Sequence, residues 1–166
     1  HLEDNLIKDI ISNDHLHPGL KTKLPKEIKF VQLNELQPLL EKDLDLVVAG
    51  ISSIGIEWFA KQISKNYKKK LPIVLLTKGL SIVENELTTL SDKIKNILEK
   101  NGHSEINISA IKGPCLAAGL ANKMRTGTVI ANQNIKECLS LKNIISTNYY
   151  STEISEDITG VELSGA

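Results

Sequence analysis

The sequence predicts an α/β protein, a mainly parallel sheet with helices on both faces. Three observations predict it. Short apolar runs alternate with amphipathic stretches along the chain. The apolar runs are continuous, as strands covered on both faces read. The connections between them are short, the pattern of βαβ crossovers.

Taken in order, Leu6, Ile7, Ile10 and Ile11 give residues 2–12 the spacing of a short amphipathic helix. Pro18, Gly19 and Pro25 break "HLHPGLKTKLP" into a polar loop. "IKFVQL", residues 28–33, reads as a short strand, and "NELQPLLEK" after it as a helical turn or short helix. Residues 43–51, "DLDLVVAGI", form a strongly apolar strand. The next helix carries Ile56, Phe59, Ala60, Ile63 and Tyr67 on one face. Residues 71–76 are a strand. Leu87, Leu90, Ile94, Ile97 and Leu98 then recur at helical spacing, and Gly102 sits where a left-handed C-cap belongs. A strand over 106–111, a helix over 116–123 and a strand over 126–132 follow. The helix "IKECLSLKNII" and a strand over 146–152 complete the pattern.

The bulk numbers bound the function. A chain of 166 residues suits one domain and buries a real core. Its 41% apolar and 24% charged residues are values expected of a soluble globular protein. Twenty basic and twenty acidic residues cancel, so no broad attraction to nucleic acid or anionic membrane is implied. The run "KNYKKK", residues 65–70, reads as a solvated helix end. Cys115 and Cys138 form no close pair and join no Cys/His cluster of metal spacing, so no metal is expected. That cysteine count fits a reducing cytosol. No apolar run approaches the ~20 residues of a membrane-spanning helix. No signal peptide is visible, and the chain opens at His1 rather than at a methionine.

In open parallel sheets, ligands bind beyond the carboxyl ends of the strands. Three polar clusters fall there: Ser52-Ser53, Thr77-Lys78-Gly79 and Gly113-Pro114-Cys115. Lys78 is a compact cation that can hold a phosphate, polarise a carbonyl or move a proton. The plainer reading is a strand-terminal lysine reaching for water. The Gly113–Pro114 turn precedes a helix of small residues, Ala117, Ala118 and Gly119. These admit a flat cofactor, or simply let the helix pack tightly on the sheet. Cys115 reads as a small polar lining residue, because no histidine is placed to activate it as a nucleophile. "GISSIG", residues 50–55, follows a strand and opens a helix but is not the dinucleotide fingerprint. If Lys78 and the 113–117 turn serve one small ligand, the ammonium must reach within about 10 Å of the backbone at Gly113 and Cys115.

Read together, "LLTKGL", "KGPCLAAGLA" and "STNYYSTEISEDITGVELSGA" resemble segments of the NAD(P)-dependent glycerol-3-phosphate dehydrogenases, in the same order. "HPGLKTKLP" is similar to one branch of that family. The resemblance runs along essentially the whole chain. It implies an incomplete Rossmann-like fold and hydride transfer between NAD(P)H and dihydroxyacetone phosphate to give sn-glycerol 3-phosphate. It implies that Lys78 is catalytic and contacts both substrate and cofactor. Gly113 and Cys115 would line the substrate, and Ala117 would touch the cofactor. The same likeness places the protein in glycerophospholipid metabolism in the cytoplasm, with NAD or NADP as cofactor.

Gly119 stands where the family carries a glutamate. By the same resemblance, residues 1–160 correspond to a cofactor-binding domain without its first strand and glycine-rich loop. Residues 161–166 begin the helix that leads to an all-helical C-terminal domain. The family's proton-transferring lysine would follow Ala166 by two positions. A raw sheet edge, left where the first strand belongs, invites pairing with another chain and so a homo-oligomer. The alternative is a non-catalytic nucleotide-fold module that binds a small anion or a protein partner.

Overall fold

The computed structural model describes residues 4–68 and 71–166. Helix α1 (Asp4–Ser12) realises the apolar spacing of the N-terminal segment and buries Ile10. Leu2 and Glu3, also placed in that helix by the pattern, lie outside the described residues, as do Lys69 and Lys70. The expected polar loop contains a small antiparallel hairpin, β1 (Leu16–His17) with β2 (Thr22–Lys23). His17 closes it by accepting from the Leu20 amide through Nδ1 at 3.1 Å.

The strand expected over residues 28–33 is absent. Residues 28–32 pair with no strand, and Leu33–Glu35 forms a 3-10 turn leading into α2 (Leu36–Leu40). A strand needs a neighbour to bond, and among the described residues none runs beside this segment. Ile28 and Leu33 consequently stay exposed.

The central sheet begins with β3 (Val47–Ala49). Helix α3 (Ile56–Ser64) follows and buries Ile56, Phe59, Ala60 and Ile63, four of the five residues expected on that face. Tyr67, the fifth, is buried just beyond its end. Next comes β4 (Pro72–Leu75). A hairpin then intervenes, β5 (Ser81–Val83) with β6 (Glu86–Thr88), turned by Glu84 and Asn85 at φ 53° and 66°. Leu87 belongs to this hairpin and is exposed, so α4 starts later than the apolar spacing implied, at Leu90–Lys100. Thr89 sets that start by accepting from the Asp92 amide, and Gly102 ends the helix at φ 84°.

The remaining elements are β7 (Asn107–Lys112), α5 (Ala117–Ala121), β8 (Thr126–Ala131), α6 (Ile135–Ile145), β9 (Tyr150–Ser155) and α7 (Ile158–Ser164). The sheet order is β3-β4-β7-β8-β9. Three of its pairings are parallel and one, β7 with β8, is antiparallel. The five-residue α5 does not return the chain to the starting edge as a crossover would. Ile73, Leu75 and Ile108 pack under α3 and α4, while Val74, Ile111 and Ile130 pack under α6. Each large side chain buried this way contributes about 1.5–3 kcal/mol. Ala110 and Ala131 leave room for α7, which lays Ile158 on them. No described helix is long and apolar enough to cross a membrane.

Candidate functional site

Parallel pairing of β3, β4 and β7 opens their carboxyl ends on one side of the sheet. Beyond β4, Thr77 is buried and ties two strand ends together. Its Oγ1 donates to Ile51 O at 2.8 Å, and the Leu76 amide donates to Ala49 O at 3.0 Å. Gly79, at φ 108° and close against Ser53, turns the chain away. Lys78, between them, stays exposed and swings across to β7. Its Nζ donates to Gly113 O at 3.0 Å. Of the two backbone points expected to converge with Lys78, the Gly113 one is reached at hydrogen-bond range.

Gly113 itself is dictated by packing. A Cβ there would lie 2.7 Å from Gly127 O and 2.9 Å from Thr128 Cα, both main-chain atoms that cannot step aside. Cys115 is half-buried and turns toward β8, where its Sγ donates to Gly127 O at 3.2 Å and lies 3.3 Å from Thr126 Oγ1. Ala117 is exposed at the first residue of α5, and Gly119 lies beside Met124. A cavity of about 390 Å³ brings Lys78 together with Gly113, Pro114 and the end of α7, but it is not lined by Cys115 or Ala117.

Two charged residues in this region were not singled out by the sequence reading. Lys112, the last residue of β7, is 4% exposed, and Glu162 on α7 is fully buried. Lys112 Nζ donates to Thr77 O and lies 3.9 Å from Glu162 Oε1. Glu162 Oε2 accepts from the Ser91 hydroxyl and, at 3.2 Å, from the Ser91 amide. Oε1 has no hydrogen-bond donor among the described residues. Burial pushes the Lys112 ammonium below its ordinary value; Glu162 opposes that shift, and the like charge of Lys78 adds to it. One signal for the pair was present in the sequence. Glu162 falls on the apolar face marked by Ile158 and Val161, where a carboxylate must find a partner.

The strand-end residues suit a nicotinamide nucleotide in their chemistry. Lys78 offers a cation to phosphate or ribose oxygens. No group of three or more His, Cys, Asp or Glu able to hold a metal occurs among the described residues.

The family model described as NAD-dependent glycerol-3-phosphate dehydrogenase N-terminus matches residues 2–138. A glycerol-3-phosphate dehydrogenase [NAD(P)+] of Mesoplasma florum is 33% identical over 134 residues, 80% of this chain and 39% of that protein. An NADP(+)-dependent glycerol-3-phosphate dehydrogenase of Archaeoglobus fulgidus is 29% identical over 98% of this chain and 47% of its own length. The chain thus spans less than half the length of these relatives. Among solved structures, DsGPDH of Dunaliella salina superposes with a TM-score of 0.82 at 20% identity, over 98% of this chain and 27% of that one. The glycerol-3-phosphate dehydrogenase of Saccharomyces cerevisiae gives 0.78 at 21% identity, over 96% of this chain and 46% of the other. These likenesses establish a Rossmann-type fold.

Proposed function

The chain belongs to the NAD-dependent glycerol-3-phosphate dehydrogenase N-terminal family, and from that premise we propose that it is the cofactor-facing part of an oxidoreductase that reduces dihydroxyacetone phosphate to sn-glycerol 3-phosphate. Bound NADH or NADPH supplies the hydride. The observation that carries the reading is the meeting of Lys78 Nζ with Gly113 O at 3.0 Å across two adjacent strand ends. An ammonium has three N–H donors. One is parked on Gly113 O, so others are available to a substrate carbonyl or phosphate oxygen.

In this reading Lys78 is catalytic. It stabilises the negative charge that develops on the carbonyl oxygen during reduction. Gly113 keeps the turn flat against β8, so that substrate can approach its backbone. Cys115, held by its bond to Gly127 O, lines the substrate side as a small polar group. Ala117, small and exposed at the start of α5, leaves room for the cofactor. Residues 1–160 are the partial cofactor-binding domain and 161–166 the beginning of the helix toward a C-terminal helical domain; α7 itself starts earlier, at Ile158. Both cysteines are free, which suits a reducing compartment, and we place the protein in the cytoplasm.

The test follows NADH and NADPH absorbance with the full-length protein and dihydroxyacetone phosphate. Stoichiometric oxidation of either cofactor is expected. Binding of inorganic phosphate without oxidation of either cofactor would replace the enzyme reading with that of an anion-binding module.

A further inference from the structure

We propose that Lys112 is a positioning residue for Lys78, locked in place by Glu162, and that the pair fixes the reach of the Lys78 ammonium over the cleft. The proposal rests on the reading of Lys78 given above. Its basis is a closed circuit of contacts. The side chain of Lys112 donates to Thr77 O, the carbonyl of the peptide that joins Thr77 to Lys78. That peptide sets the direction in which Lys78 leaves the backbone. Thr77 is itself pinned through its side chain, whose Oγ1 donates to Ile51 O at 2.8 Å. The main chain of Lys112 leads directly into Gly113, whose carbonyl receives the tip of Lys78 at 3.0 Å. One residue therefore holds both the root and the landing point of the same side chain.

Glu162 locks this arrangement. It is anchored by Ser91, in the first turn of α4, through both the amide and the hydroxyl. Gly165, one turn further along α7's path, lies on the Lys112 stem; a Cβ there would come 2.6 Å from Lys112 Cβ. Stability does not account for the pair. A buried ion pair returns little over apolar residues of the same volume, and this one is beyond hydrogen-bond range at 3.9 Å. Among the described residues, Glu162 Oε1 also has no donor. What the arrangement secures is geometry. Among the described residues, the charged groups acting on Lys112 are Lys78 and Glu162.

The test uses the full-length protein and three variants: Lys112→Met, Glu162→Gln and the two together. Each single change should lower kcat roughly 10- to 100-fold, the effect of a misplaced catalytic group. The KM for cofactor should stay within about twofold. The double variant leaves no lone buried charge, so its Tm should return toward wild type while kcat stays low. Recovery of kcat together with Tm would make the pair structural only and overturn the proposal. If the variants do not fold, the wild-type protein decides by NMR of ¹⁵N-labelled lysine. A slowly exchanging ammonium with cross-peaks to the Thr77–Lys78 peptide is expected for Lys112. Ammonium groups that all exchange at the surface rate would overturn it. A wild-type protein that oxidises neither cofactor with dihydroxyacetone phosphate defeats the activity reading instead, and the NMR result then judges the positioning alone.

Discussion

The two ends of the central sheet make an instructive contrast. At the amino ends of β4 and β7 lies the larger cavity, about 510 Å³, lined among others by Pro72, Asn107 and Asn132. One buried polar residue on its wall, Asn132, is saturated. Asn132 Nδ2 has three acceptors, Asn107 Oδ1, Ile108 O and Ser109 Oγ, at 2.8–3.0 Å for its two N–H groups, and its Oδ1 accepts from the Asn134 amide at 2.8 Å. At the carboxyl ends the cavity is smaller, yet an exposed ammonium, that of Lys78, lines it and bridges two strands. Volume alone would choose the first end. The ammonium bridging two strand ends chooses the second, where the strand-end rule for parallel sheets also points.

The sharpest way to break this contrast is Lys78→Ala in the full-length protein. Loss of one charge-assisted contact to a developing oxyanion costs about 2–4 kcal/mol, so kcat/KM should fall roughly 10²–10³-fold. Steady-state kinetics within about threefold of wild type would remove Lys78 from the site.

A smaller and opposite effect is expected at the other end. Asn132→Ala strips partners from buried groups and should cost about 1–3 kcal/mol of stability, read by chemical denaturation. Its kcat/KM should remain within about twofold of wild type. A large kinetic loss with unchanged stability would mean that the amino end carries chemistry.

The smallest effect concerns pH. The Lys112 value is depressed in the folded protein below the ordinary 10.5. Below the folded-state value, the protein bears the whole cost of burying that charge. The cost is relieved as pH rises through the folded-state value toward 10.5, because the unfolded chain then binds more protons. The Tm of wild type should therefore gain on that of the Lys112→Met, Glu162→Gln double variant over the pH range that rises to 10.5. A constant difference across that window would show that Lys112 is not desolvated.

Much of this arrangement was legible beforehand, and the exceptions have physical causes. Lys78 and Gly113 could be read because each closes an apolar run at a turn, a local signal. Lys112 closes such a run too, but a strand-terminal lysine ordinarily seeks water. Only the docking of α7, remote in sequence, explains its burial. The hairpin at Ser81–Thr88 was hidden because Leu87 fits the helical spacing of the residues after it, whereas the left-handed backbone at Glu84 and Asn85 carries no glycine to announce it. Residues 28–33 have the composition of a strand, but a ladder is a property of two segments, and composition describes only one.

The separation of Ser91 from Glu162, 71 positions along the chain, has a consequence for biosynthesis. At ribosomal speed α7 emerges seconds after β4 and β7. Until then nothing from α7 covers Lys112, so it waits as an ordinary solvated lysine without its carboxylate. The ammonium scaffold of the cleft is thus completed by a late arrival. A ribosome-bound nascent chain stalled with residue 157 just outside the tunnel should still have Lys112 open to acylating reagents; the finished protein should not.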